Sequence, residues 1–365
     1  MNDNLDQCGG SGCDAGLPKP ACACSGAARH WVLEQLESPV GKVPRVASRW
    51  TWKDYLGAVA MRWGVGRRRY LVDPGLCAIG HPGADAPVLV TANYKLSLDH
   101  LRRALDGFDA WILVLDTKGI NVWCAAGKGT FGTEELVGRL ATANVKRLVH
   151  HRTVVVPQLG APGVAAHEVQ KRTGFRVVYG PVRALDIPAF LRDGMRTTPA
   201  MRQVTFTLWE RLVVVPVELV HTFASAALIM LGFFLVDSLG RHGVSVTPGH
   251  WGGIAALVWG NLFAGVVLTP MLLPCLPGRA FACKGAEMGA LAGAALWWGG
   301  GYGFVQGLAV LLLSVAACSF LGMTFTGCTP YTSASGVRRE MPWGVRLQIL
   351  GCLAGLVLWL VAHFQ

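Results

Sequence analysis

The chain has 365 residues, 33 of them Lys or Arg and 22 Asp or Glu, a formal net charge of +11, and 52% apolar residues. A mean hydropathy of +0.40 with only 15% charged residues excludes an ordinary soluble enzyme domain. The basic residues form no stripe interleaved with aromatics, which argues against a nucleic-acid surface, and the 11 cysteines contain no run spaced for an iron–sulfur cluster.

Residues 1–45 read as a Cys-containing tail, disordered at least through its first thirty residues, where Gly, Ala, Pro and Cys dominate and no periodicity shows. Cys8, Cys13, Cys22 and Cys24 fall here, and their spacing matches no metal template. No apolar stretch of the signal-peptide kind precedes the next segment.

Residues 46–200 alternate apolar strands with amphipathic helices, the pattern of a Rossmann-like α/β domain with a largely parallel sheet and helices on both faces. Strands are predicted at Val88–Ala92, 111–115, 120–123, Thr153–Val156 and Arg176–Tyr179. Helices are predicted at 97–105, at 133–143 with Thr133 as its cap, and at 164–172 with Gly174 ending it. His150 and His151 start a strand, so their side chains point to opposite faces and do not share a metal.

Residues 201–211 form a polar linker, and residues 212–365 form the apolar half. Only six basic and four acidic residues lie beyond residue 211, which leaves a net of +9 on the first 211. Five stretches, 212–236, 252–273, 285–303, Phe304–Thr324 and 344–362, are each long enough to cross a hydrocarbon core that needs about 20 helical residues. With the α/β domain on the cytoplasmic side, Arg279, Lys284, Arg338 and Arg339 fall in inner loops and only Arg241 in the first outer loop. That satisfies the positive-inside rule and puts the carboxyl terminus outside. Glu218, His221, Asn261 and Glu287 lie within or beside these spans. Such residues either line a path or hydrogen-bond between helices, and the second reading is preferred.

The chemistry concentrates in residues 121–132, NVWCAAGKGTFG. The glycines Gly127, Gly129 and Gly132 formally match a dinucleotide fingerprint, but the region about 20 residues on carries no acidic partner. A phosphate-binding loop also fails, since position 122 is Val and Gly129 follows Lys128 where Ser or Thr is required. Cys124 is placed at a strand-to-helix junction, on the sheet edge where open α/β folds bind ligands. Ala125, Ala126, Gly127 and Gly129 would clear a floor for a large flat group, with Lys128 adding positive charge near the sulfur.

This segment resembles the signature of the corrinoid protein of microbial mercury methylation (HgcA-type). So do residues 114–120 (VLDTKGI), 157–164 (PQLGAPGV), 178–183 (VYGPVR) and, in the apolar half, 326–333 (TGCTPYTS). The resemblance covers residue 51 to the end. The α/β half is also similar to the corrinoid-binding domain of the corrinoid iron–sulfur protein of acetyl-CoA synthesis. The resemblance implies a base-off cobalamin with Cys124 as lower cobalt ligand and as the catalytic residue. Asn121, Val122, Trp123, Ala125, Ala126, Gly127, Lys128, Gly129 and Thr130 would make the rest of the binding segment. It implies a corrinoid-dependent methyltransferase that passes methyl from cobalt to inorganic Hg(II). The implied partners are a small two-[4Fe-4S] ferredoxin (HgcB-type) as electron donor, a methyltetrahydrofolate-linked methyltransferase, and the lipid of a prokaryotic cytoplasmic membrane. Cys275, Cys283 and Cys328 stand where they could pass a soft metal on. Two other readings remain open. One is a methyl-carrying corrinoid protein of one-carbon metabolism with mercury an incidental acceptor. The other is a transporter with a nucleotide-sensing domain.

Overall fold

The computed structural model describes residues 29–238, 248–325 and 334–364. Cys8, Cys13, Cys22, Cys24 and the 326–333 segment with Cys328 lie outside the described residues. The described residues divide into two compact units, one of residues 29–54 and 68–202, the other of residues 55–67, 203–238, 248–325 and 334–364.

The first unit is built on strands β1 (Val32–Ser38), β2 (Gly41–Val46), β3 (Gly75–Ile79), β4 (Val88–Ala92), β5 (Ala110–Leu115), β6 (Thr153–Val156) and β7 (Arg176–Tyr179). Their spatial order is β1-β2-β3-β5-β4-β6-β7. Strands β5, β4, β6 and β7 run parallel to one another; β3 pairs antiparallel with β5, and β1 antiparallel with β2. The sheet is therefore mixed but mostly parallel. Its central strands β4 and β5 are buried along their whole length, which is why, Thr91 apart, they are apolar runs rather than alternating ones. Helices α1 (Trp52–Arg62), which belongs to the second unit from Tyr55 on, α2 (Lys95–Ala104), α3 (Val122–Lys128), α4 (Thr133–Thr142), α5 (Val145–Leu148), α6 (Ala166–Thr173) and α7 (Ile187–Arg192) follow in chain order. The apolar residues fall into two clusters. Val90, Leu113, Phe131 and Leu136 belong to one, and Leu89, Ile112, Leu98 and Phe190 to the other. Neighbouring residues of a strand thus feed opposite clusters, as the pleat requires.

Three sequence expectations need correction. Residues 32–45, assigned to the tail, lie in the β1–β2 hairpin, with Glu34 and Arg45 ion-paired at 2.7 Å and Gly41 at φ 104° closing the turn. Residues 120–123 are not a strand: Asn121 caps α3 and the chain turns helical at Val122. Gly132, not Thr133, is the cap position of α4. The Thr133 hydroxyl instead accepts the Ala165 N–H at 2.9 Å and holds the next loop.

One face of the first unit also buries an ionic cluster. Lys95 Nζ donates to Asp54 Oδ1 (3.0 Å) and Asp99 Oδ2 (2.7 Å), Arg102 Nε donates to Asp99 Oδ1 (2.8 Å), and Arg102 Nη2 lies 2.7 Å from Asp54 Oδ1. Charges balance within it, which is what makes its burial tolerable.

The second unit contains α8 (Leu208–Leu212), α9 (Val215–Ser238), α10 (Pro248–Phe263), α11 (Thr269–Leu272), α12 (Phe281–Gly300), α13 (Phe304–Thr324) and α14 (Ala334–Phe364). A π-helical segment, Ala264–Leu268, joins α10 to α11. All five apolar stretches are helical. Four meet the length and hydropathy needed to cross a membrane: Leu208–Ser238, Trp251–Leu272, Phe304–Thr324 and Arg339–Phe364. The expected third stretch forms α12 but is not among these four; its glycines, Lys284 and Glu287 dilute its apolar character. Those glycines serve packing. A Cβ on Gly285, Gly289 or Gly293 would collide with the backbone of α13 at Cys318, Ser314 or Leu311, so the two helices approach through a small-residue groove. Asn261 supports the hydrogen-bonding reading: its amide donates to Leu257 O (2.8 Å) and Ser314 Oγ (2.9 Å).

Candidate functional site

The carboxyl ends of β4, β5 and β6 carry the loops that build the site. Asn93, just beyond β4, sets the first of them. Its Oδ1 accepts the Thr117 N–H at 3.1 Å and the Gly119 N–H at 2.9 Å. The Thr117 hydroxyl lies 2.8 Å from the same oxygen and 2.7 Å from Ile120 O, donating to one at a time. Asn93 and Thr117 are both buried, so these bonds stand in for water that cannot reach the loop. Lys118 and Gly119 take φ of 57° and 72° to make the turn. Asp116 anchors its outer side. Burial works against the charge of Asp116, but hydrogen bonds from the Lys118 ammonium and Lys118 N–H hold its carboxyl below the ordinary carboxylate range.

That turn delivers Asn121 as the cap of α3. Asn121 Oδ1 accepts the Cys124 N–H at 2.9 Å, satisfying a donor the first helical turn leaves free. Cys124 is thus the third residue of the helix rather than a strand end. Periodicity sorts the segment. Val122, Ala125 and Ala126 are buried in the core, where their methyl groups seat the helix on the sheet. Trp123, Cys124, Gly127 and Lys128 stand on the other side. Trp123 is 36% exposed and the Cys124 thiol is half-buried. Cys124, Gly127 and Lys128, at positions i, i+3 and i+4, share one face. Beyond its chain neighbours and the adjoining helix backbone, nothing lies within 4 Å of where a Cβ would stand on Gly127 or Gly129. The face beside the sulfur is therefore bare, which fits a broad flat group lying across it.

Gly129, at φ 81°, ends α3, and the Thr130 and Phe131 N–H groups both return to Ala125 O at 3.0 and 3.1 Å. Thr130 makes a long side-chain bond (3.4 Å) to the same oxygen, ordinary turn chemistry. The three separated segments 121–132, 157–164 and 178–183 converge here. A Cβ on Gly160 would strike the Phe131 ring, and one on Gly163 would strike Phe131 O and stand 3.2 Å from Ala126 Cα. Tyr179 Oη donates to Val164 O at 2.6 Å. Glycine at 160 and 163 is thus the condition for the loop after β6 to lie against α3.

Sequence reasoning missed Asn93. Its only signal was an asparagine directly after a fully buried strand. The histidine pair stays apart from the site: His150 pairs with exposed Asp85, and His151 Nε2 lies 2.9 Å from Ala86 O. Among the described residues no three His, Cys, Asp or Glu side chains group as a metal site.

Residues 66–191 match the family model of the CO dehydrogenase/acetyl-CoA synthase delta subunit. The matched stretch contains Asn93, Asn121 and Cys124 and stops short of the helices α8–α14. The curated relatives are described as a different subunit, gamma rather than delta. The acetyl-CoA decarbonylase/synthase complex subunit gamma of Methanopyrus kandleri is 33% identical over 127 residues, covering 34% of this chain and 27% of that protein. Its counterpart in Archaeoglobus fulgidus is 33% identical over 122 residues, 33% of this chain and 26% of the relative. That of Methanosarcina acetivorans is 32% identical over 124 residues, 33% and 26% respectively. The chain spans about a quarter of the length of the curated relatives it matches.

Proposed function

We propose that residues 46–200 form a corrinoid-binding domain that carries a methyl group in one-carbon chemistry, with Cys124 as the lower axial ligand of its cobalt. The observation that carries this reading is the common face of Cys124 and Gly127, a half-buried sulfur beside a helix surface with nothing standing over it. The similarity of residues 66–191 to subunits of acetyl-CoA-forming complexes supports the chemistry.

When bound, the cobalt supplies a centre that accepts and releases a methyl group. The chain's own residues do the rest. Cys124 offers a soft, strongly donating sulfur. Asn121 fixes the backbone that bears it, and Asn93 braces the turn behind Asn121. Val122, Ala125 and Ala126 lock the helix to the core so that the sulfur keeps its place. Gly127 and Gly129 leave room for the ring, and Lys128 brings positive charge to its edge.

We further read the helical unit from Leu208 on as a membrane domain of five spans, α12 adding the third in chain order to the four apolar ones, with the α/β domain on the cytoplasmic side; the linker expected at 201–211 ends at Thr207, where α8 is capped. Membership of the relatives in a multi-subunit complex supports a protein partner for methyl supply.

A second reading makes Hg(II) the methyl acceptor, with methylmercury the product and a two-[4Fe-4S] ferredoxin the electron donor. Two observations favour it: a cysteine inside the first turn of α3, and an apolar half that lies outside the matched stretch.

Both readings are tested on full-length protein purified without oxygen and supplied with cobalamin. A bound-corrinoid absorption spectrum that shifts when Cys124→Ala is introduced is the expected result. Failure to bind cobalamin, or an identical spectrum for the variant, overturns the ligand role. Membranes given a methyl donor, a low-potential reductant and Hg(II) separate the acceptors: methylmercury lost with Cys124→Ala supports the second reading, and its absence in the wild type removes it.

A further inference from the structure

Helix α1 is inverted. Its inward face holds Ala58 and Met61, both buried. Its outward face carries Tyr55 (50% exposed), Leu56 (57%), Val59 (52%) and Trp63 (47%), at helical spacings of one, three and four. Val65, 63% exposed, follows on the turn. A helix of a soluble protein shows water its polar face; this one presents aromatic and branched aliphatic side chains.

Three observations identify what covers that face. First, residues 55–67 belong to the helical unit rather than the sheet unit. Secondly, α1 ends against the start of a candidate span: a Cβ on Gly64 would stand 3.5 Å from Val217 Cγ2 and 4.0 Å from His221 Nε2, in the first turns of α9. Helix α9 itself, Val215–Ser238, has 24 residues, ~36 Å at 1.5 Å per residue and longer than a ~30 Å hydrocarbon core, so its first turn falls at headgroup level. Thirdly, charge is one-sided. Residues 52–69 hold five basic residues and one acid, Asp54, which is spent in the buried cluster; Glu218, in the first turn of α9, adds one acid beside Arg67. Arg67 and Arg69 are exposed. Aromatic and aliphatic side chains bordered by arginines, at the level where a span begins, are what a headgroup–acyl boundary accommodates.

We infer that residues 55–67 form an interfacial anchor: α1 lies in the boundary of the leaflet from which α9 starts, burying Tyr55, Leu56, Val59, Trp63 and Val65 among lipid, while Arg67 holds anionic headgroups. The inference rests on reading the helical unit as membrane-spanning, and goes beyond it.

The test uses full-length protein carrying p-benzoylphenylalanine in place of Val59 or, separately, in place of Ile229, which is 55% exposed in the middle of α9. Each is reconstituted into vesicles of phosphatidylethanolamine and phosphatidylglycerol, irradiated, and the adducts are identified by mass spectrometry. Lipid adducts at both positions are expected, with the Val59 yield falling severalfold in an Arg67→Glu background and the Ile229 yield unchanged. Lipid at Ile229 but not at Val59 overturns the anchor and leaves the spans standing. Adducts from Val59 to protein, in the same chain or a second copy, also overturn it and assign the face to protein. Lipid at neither position removes the membrane reading and the anchor with it.

Discussion

Asn121 Oδ1 and the backbone N–H of Cys124 are 2.9 Å apart, and this one bond sets where the sulfur stands. It closes the first turn of α3 around the cysteine and turns a stretch that reads as extended into helix.

Replacing Asn121 by Ala removes that cap. A loss of about 1 kcal/mol in unfolding free energy is expected, with Asn121→Asp retaining most of it. Amide exchange at Cys124 should speed up in the alanine variant. Unchanged protection there would show that the cap does not hold the turn.

Gly127→Val separates the site from the fold. Beyond its chain neighbours and the adjoining helix backbone, nothing lies within 4 Å of the added Cβ, and valine costs the helix little relative to glycine. Thermal unfolding should therefore stay near that of the wild type while cobalamin uptake falls at least tenfold. Full uptake by this variant would show that the ring lies elsewhere.

Asn93→Ala strips the acceptor from the Thr117 and Gly119 N–H groups in a buried turn. A cost of about 3 kcal/mol is expected, because orphaned buried donors forfeit their desolvation. Denaturant midpoints measure it, and cobalamin uptake should drop along with them, since the turn delivers Asn121.

The buried ionic cluster should dominate the acid response of the sheet unit. Burial opposes the charge of Asp54, but its hydrogen bonds from Thr51, Lys95 and Arg102 outweigh that and hold its carboxyl well below the ordinary range. A depressed carboxylate gives stability that is complete above its unfolded value, about 3.9, and is lost as pH falls through the folded one. Asp54→Asn should lower stability at neutral pH by about 3–5 kcal/mol. It should also flatten the loss of stability below pH ~4 that unfolding curves record for the wild type.

In the helical unit, Gly289→Val drives a side chain into the backbone of α13 at Ser314. Loss of the monodisperse species after mild detergent extraction is expected, since overpacking costs about 1–3 kcal/mol or more where backbone cannot yield. Gly299→Ala, with nothing within 4 Å, should behave as wild type.

Periodicity alone located β4, β6 and β7 to the residue, along with the strand–helix alternation around them. Apolar length located the helices α9 to α14, and the composition of residues 121–130 singled out Cys124. These are local properties, written in neighbours three, four or two positions apart. Long-range pairing settled the rest. The β1–β2 hairpin looks too polar to be a strand pair until Glu34 meets Arg45. Strand β3 runs against β5 because of what lies beside it, not because of its own residues. Asn121 becomes a cap only once Asn93, 28 positions earlier, has bent the chain towards it. The outward face of α1 has an apolar pattern that any core helix could show; which side met the core depended on packing that no window of sequence contains.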